Sequence, residues 1–269
     1  MKGALKRIFA VAKLVGVDGL RRHALLGLVA LALAIELSGL FFFAFVPRDI
    51  GRVSADFVVT VGWCVGMVFL FFHAVHVMSW GEDRRVIHTL LAHPLSRTDY
   101  TLGVFAGLLF LLLLLNGLLA FIGYGVLVVI KSWVGVEYFS HLGIGGYLLS
   151  WWGVLSIEAM ILAAIVLFSG MVRGSFTVLL VTLSYYLICT GLPVAVEFFK
   201  GNSLLLRKIL VGMTLAFPNF SRLDYKGVIV ALDNWPSASS LVLNLAYVLL
   251  YCGLILAIAT SVYNRRDLK

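Results

Sequence analysis

Charge is scarce in this chain: Asp, Glu, Lys and Arg make up 13% of its 269 residues, where soluble domains carry about 25%. No stretch is polar enough to fold alone in water, which excludes the one or two soluble domains this length allows. Catalytic signatures are missing as well. No lysine follows a glycine, so no P-loop can hold a nucleotide's phosphates between backbone amides and a lysine. Neither HExxH, nor a GxSxG elbow, nor a DxxD carboxylate pair occurs, and no enzyme activity is expected of the chain itself. Cysteine is limited to Cys64, Cys189 and Cys252, all within apolar runs and without a CxxC, which reads as small buried hydrophobes rather than a disulfide framework. Lys2, Lys6, Arg7 and Lys13 are spread through the first twenty residues and no small-residue cleavage site follows a discrete apolar core, so no cleaved leader is expected.

What the chain has in abundance is apolar surface, with 62% hydrophobic residues and a mean hydropathy of +1.05. Runs long enough to cross about 30 Å of hydrocarbon stand at roughly 24 to 46, 57 to 79, 101 to 130, 145 to 171, 175 to 197 and 241 to 263. The expected fold is all-α and integral to the membrane: one transmembrane domain over residues 1–269, with six transmembrane helices and no nucleotide-binding domain.

An even number of spans puts both termini on one side of the bilayer. That side receives Lys2, Lys6, Arg7, Lys13, Arg21 and Arg22 before the first span, and Arg84, Arg85 and Arg97 between the second and third. Arg173 and the C-terminal Arg265, Arg266 and Lys269 join them. Of the remaining basic residues, Lys200, Arg207, Lys208, Arg222 and Lys226 fall in one long loop, where the positive-inside rule is weakest. Both termini are therefore expected in the cytoplasm, in a multi-pass protein of the cytoplasmic (inner) membrane. The net charge of +8 carries this topology signal and predicts no nucleic acid partner, because the basic residues flank apolar runs.

Residues 2 to 19 place Leu5, Ile8, Phe9, Ala12 and Val15 on one helical face and Lys2, Lys6 and Lys13 on the other, the pattern of an N-terminal interfacial helix. A plain extension of the first span is the alternative. The loop between spans five and six, residues 198 to 240, holds the apolar stretch Leu204 to Phe217, interrupted by Arg207 and Lys208, then Pro218, Asn219 and Pro236 as breakers. Short amphipathic helices against the outer membrane face are expected there, with a re-entrant dip as the alternative.

Between the second and third spans, residues 81 to 100 form a connection much longer than an ordinary turn. Val86, Ile87, Leu90 and Leu91 make a narrow apolar stripe suited to a short helix on the membrane or in a protein groove. Pro94 stops that helix, and Ser96 can cap the third span. Arg84, Arg85 and Arg97 beside the stripe either pair with acidic groove residues or simply fix topology.

In this segment the chain resembles the six-span permease subunits of type-2 ABC transporters, related to multidrug, lipid and polysaccharide exporters. The matching positions are Asp83, Arg84, Arg85, Ile87, Leu90, Leu91, Pro94, Ser96, Arg97, Tyr100 and Gly103. The run Tyr263-Asn264-Arg265-Arg266-Asp267-Leu268 resembles the family's C-terminal ending, and Phe217 to Asp224 resembles an outer-loop stretch of some members. The chain departs from the commonest pattern at Arg85 and Val86, where many members have Gly-Thr. The resemblance implies a division of labour. Asp83 to Leu91 form a cytoplasmic coupling helix that sits in a groove of a separate ATPase subunit, and ATP and Mg are held there. This chain binds no cofactor itself, and a second permease copy, identical to the first, completes the path for export.

Glu36 and Glu158 lie near the middle of the first and fourth spans, where a carboxylate costs about 2.5 kcal/mol or more on insertion scales. They either line a translocation path, with Asn116, or are held as internal glue by a neighbour such as Asn116 or Ser156. His73 and His76, at i and i+3, can share one helix face. Metal ligation needs further ligands that the sequence does not identify, and a near-interface position beside Trp80 suits them better. Gly103 and Gly107 form a GxxxG at the start of the third span, a candidate for close helix contact. Two other functions use the same residues: a proton-driven secondary transporter working through Glu36 and Glu158, which predicts internal repeats, and a membrane scaffold or assembly factor without transport.

Overall fold

The computed structural model describes residues 2–21, 24–43, 50–83, 96–139, 143–199, 204–229 and 235–265. Every regular element among them is helical: α1 (Lys2–Arg21), α2 (Ala24–Phe43), α3 (Ile50–Val68), α4 (Val75–Asp83), α5 (Arg97–Val134), α6 (Ile144–Met171), α7 (Ser175–Phe198), α8 (Leu204–Ala216) and α9 (Ala238–Arg265). A π-helical turn, Phe69–Ala74, joins α3 to α4, and short 3-10 turns occupy Val136–Phe139, Phe220–Leu223 and Lys226–Ile229. Among the described residues, five helices are long and apolar enough to cross a membrane: Ile50–Ser79, Arg97–Val134, Ile144–Met171, Ser175–Phe198 and Ala238–Arg265. The expected run 24 to 46 coincides with α2, whose apolar stretch Leu25–Gly39 is shorter than the other five.

The centre of the bundle is α6. It is apolar on all sides, the mark of a helix buried all round, and Met160 to Val166 are buried without a break. α3, α5, α7 and α9 pack around it. Glycines set the closest approaches. A side chain at Gly62 or Gly66 of α3 would collide with Trp151 or Glu158 of α6, and one at Gly170 would meet the Tyr263 ring of α9. In lipid, where helices gain nothing by hiding from water, this kind of backbone proximity is what holds them together. The outer faces of α7 and α9 expose Phe176, Leu180, Leu243, Leu249 and Leu250, the surface that hydrocarbon covers.

Contacts fix the directions. α1 runs parallel to the first half of α5: Arg7 meets Asp99, Val11 meets Gly103, Val15 meets Gly107, and Gly19 meets Leu111. α2 continues along the same helix, with Glu36 beside Gly123. α6 runs against α5 and alongside α3 and α9, so α2, α5 and α7 point one way and α3, α6 and α9 the other.

The GxxxG expectation holds, with α1 as the partner helix. The N-terminal face is corrected. Val11, Val15, Gly16 and Gly19 face α5, with the Ile8 and Ala12 carbonyls against Gly103 and Gly107, whereas Leu5 and Phe9 are 66% and 71% exposed. The periodicity merged two apolar surfaces into one, because small glycines on the packed side carry no hydropathy signal.

Replacing Gly107 with leucine should push α1 off α5 and destabilise the purified protein by about 1–3 kcal/mol, the usual range for overpacking. Gly117 on the same helix meets nothing within 4 Å, so Gly117→Leu should leave the denaturant midpoint unchanged. Equal midpoints for the two variants would contradict the α1–α5 contact.

Candidate functional site

Three groups of polar residues stand out against the apolar bundle. The first is at the end where Arg7, Arg97, Arg173 and Arg265 gather. Ser96 is extended (φ −76°, ψ 152°) and caps α5, its hydroxyl accepting from the Asp99 amide at 3.0 Å. Asp99 in turn accepts from the Arg7 guanidinium at 2.7 Å, tying α1 to the start of α5. Arg97 donates to the carbonyls of Tyr263 (3.2 Å) and Asn264 (3.3 Å), the orphan acceptors at the end of α9. Asn264 donates to Thr98, and Tyr263 shares a 2.8 Å hydrogen bond with Ser169 of α6.

Ser96 therefore acts as the cap that the sequence indicated. Arg97, expected to serve a partner, also has an internal role, fastening α9 to α5. Arg84, Arg85, Ile87, Leu90, Leu91 and Pro94 lie outside the described residues, as does the side chain of Asp83, whose backbone ends α4. The candidate coupling segment is thus bounded by two placed helix ends, α4 and the capped α5.

The second group lies mid-bundle. Glu158 is fully buried and Glu36 is 1% exposed. Asn116 donates from one nitrogen both to Glu158 Oε2, at 2.6 Å, and to the Leu112 carbonyl, at 3.0 Å. The pair offered as alternatives by the sequence, Asn116 or Ser156, resolves to Asn116, since the Ser156 hydroxyl donates to the Trp152 carbonyl. Glu36 stands apart at the level of Gly123, two turns or about 10 Å along α5 from Asn116. Buried atoms without a hydrogen bond among the described residues include both Glu36 oxygens, Asn116 Oδ1, Glu158 Oε1 and Trp151 Nε1. These acceptors and one donor give the interior a polar seam that an apolar core lacks.

His73 and His76 differ in exposure. His73 lies in the π-helical turn, stacked on Phe69 with centroids 5.1 Å apart and close to Gly19 of α1, while His76 is exposed. No cluster of three or more His, Cys, Asp or Glu that could hold a metal forms among the described residues.

The third group is at the opposite end. α8 fits the expected amphipathic helix in position, but the following residues, 217–229, do not lie flat: Phe220, Leu223, Tyr225, Val228 and Ile229 are buried in the bundle. Gly146 and Gly153 of α6 admit the loop's backbone, where any side chain would strike the Val228 or Leu223 carbonyl. Ser150 donates to the Tyr225 carbonyl at 2.8 Å, and Asn244 of α9 donates to the Tyr225 hydroxyl at 2.7 Å. The Asn219 amide donates to the Tyr247 hydroxyl at 3.1 Å. Beneath this clamped loop is a cavity of about 160 Å³ bounded by α3, α6 and α7. The sequence reading missed it. Trp63 and Tyr186 sit in apolar runs without distinguishing neighbours, and only the Phe217 to Asp224 stretch had drawn notice.

No protein-family model matches the chain, and no functionally characterised protein matches it in sequence.

Removing the donor in Asn116→Ala should cost about 1–3 kcal/mol by leaving Glu158 buried and unsatisfied. Replacing both partners, Asn116→Leu with Glu158→Leu, should restore stability to within about 1 kcal/mol of the native chain in the same denaturation experiment. A double variant no better than the single would argue against a paired role.

Proposed function

We propose that this chain is the membrane subunit of an ATP-driven exporter of the type-2 ABC kind, pairing with a second, identical copy and with a separate cytoplasmic ATPase that holds ATP and Mg. The observation that carries the reading is the connection from Asp83 to Ser96. Its residues resemble the coupling pattern of that family, apart from Arg85 and Val86, and it joins the end of α4 to the Ser96-capped start of α5. Arginines gathered at one end support a cytoplasmic position for it, by the positive-inside rule. Six helices alternating in direction, from α2 to α9, support six spans with both termini in the cytoplasm.

The junction around Ser96 supports a mechanical role. A displacement of segment 84–95 reaches α4 on one side and α5 on the other. Through Arg7–Asp99 and Arg97–Tyr263 it reaches α1 and α9 as well. Closure of an ATPase pair below would thus move several helices together, as a rigid body tilts, and alternate the exposure of a path between two permease copies.

The two buried carboxyl groups, with oxygens that no described residue satisfies, favour one competing reading: proton-driven transport through Glu36 and Glu158 without a motor. Affinity purification from native membranes separates the two. Under the first reading the chain retains a P-loop ATPase. Arg84→Glu with Arg85→Glu should cut that retention about tenfold or more, since one truncated charge pair at an interface costs about 2–5 kcal/mol. A chain that retains no ATPase, yet moves substrate in liposomes under a pH gradient alone, would overturn the proposal in favour of the second.

A further inference from the structure

The cavity beneath residues 217–229 plays no part in the coupling scheme, and its chemistry can be read independently of it. Its volume of about 160 Å³ is close to that of an engineered protein cavity of about 150 Å³ that takes up one benzene ring. Flat faces line it. Trp63 of α3 and Tyr186 of α7 have centroids 6.1 Å apart at 44°, and Tyr186 and Phe220 are stacked at 6.3 Å and 26°. Rings arranged like this favour another ring, in offset or edge contact at similar separations.

One carboxylate, Asp224, and one cation, Lys226, line the cavity. The Lys226 ammonium sits 5.3 Å over the Trp63 ring and 3.4 Å from the Thr60 hydroxyl, the outer limit of a hydrogen bond. No carboxylate lies within ion-pair distance of it among the described residues. Lys226 shares its surroundings with Asp56 of α3, whose carboxyl group also feels the charges of Arg52 and Asp224. Asp224 also borders the cavity, but it is exposed and already accepts from the Lys226 amide at 3.2 Å. The hydroxyls of Ser150 and Thr190 donate to backbone carbonyls and present only acceptors. Among the described lining residues Lys226 is the one cationic donor, held only by the long Thr60 contact, and a charge-assisted hydrogen bond is the strongest interaction it can offer. The loop is fixed by Gly146, Gly153, Ser150 and Asn244. A ligand would meet a preformed site and would not have to order one.

We propose that this cavity binds a small planar aromatic anion one ring in size, its ring against Tyr186 and Phe220 and its anionic group on Lys226 Nζ.

The test is a titration of 4-fluorobenzoate against the full chain in nanodiscs, followed by fluorine NMR with unlabelled benzoate as competitor. One saturable, displaceable site is expected. Lys226→Gln should weaken it by about tenfold or more, the size of a lost charged hydrogen bond, and Lys226→Arg should stay within about threefold of native. The neutral 4-fluorobenzyl alcohol and the cationic 4-fluorobenzylamine should each bind at least about tenfold more weakly than the acid. Thermal unfolding of each variant, unchanged from native, shows that the fold survives. No saturable binding to the native chain would overturn the inference. So would undiminished binding to folded Lys226→Gln, or benzylamine bound as tightly as benzoate, which would assign the site to Asp224. None of these outcomes bears on retention of an ATPase, so the two proposals stand or fall separately.

Discussion

The close approach of backbones around α6 is the constraint on which the rest of this bundle depends. Lipid offers no hydrophobic drive for one apolar helix to join another, so contact must come from shape and from a few polar links. Here shape is supplied by glycines facing large side chains: Gly62 under Trp151, Gly66 under Glu158, Gly170 under Tyr263. The same device works in reverse at Gly146 and Gly153, where α6 yields space to the 217–229 loop. One central helix thus sets the positions of α3 and α9, and of the cavity roof.

The polar links are distributed so that each end of the bundle has a different character. At the arginine end they join helix termini, with Ser96, Arg97 and Asp99 engaging α5, α9 and α1 within one turn. At the Lys226 end they hold a loop, and aromatic rings fill the space between. Midway, the Asn116–Glu158 pair ties α5 to α6 where hydrocarbon makes an unsatisfied group most expensive.

Much of this was legible in the sequence, and the reasons are specific. Five of the six apolar runs became helices long enough to cross a membrane, because length and hydropathy are local properties. The Ser96 cap was readable for the same reason, and Gly103 and Gly107 announced a contact without naming α1. Asn116 could be nominated as a partner of Glu158 because few polar side chains are available at that depth. What was hidden depends on pairs distant in the chain. Nothing near Gly153 hints that Leu223 will press on it, and nothing near Trp63 points to Lys226. The π-helical turn at Phe69–Ala74, which carries His73, has no pattern of its own in an unbroken apolar run.

The pairing of α1 with α5 bears on how the protein is made. α5 has 38 residues, about 57 Å of helix against about 30 Å of hydrocarbon, and α1 lies alongside its first half, from Asp99 to Leu111. Arg7 and Asp99 are 92 residues apart, a gap of several seconds at ribosomal rates of about 5–20 residues per second. During that interval Ile8, Val11, Ala12 and Val15 have been synthesised and their partner has not. An amphipathic helix can rest on a bilayer surface, so residues that later pack on α5 need not wait in water.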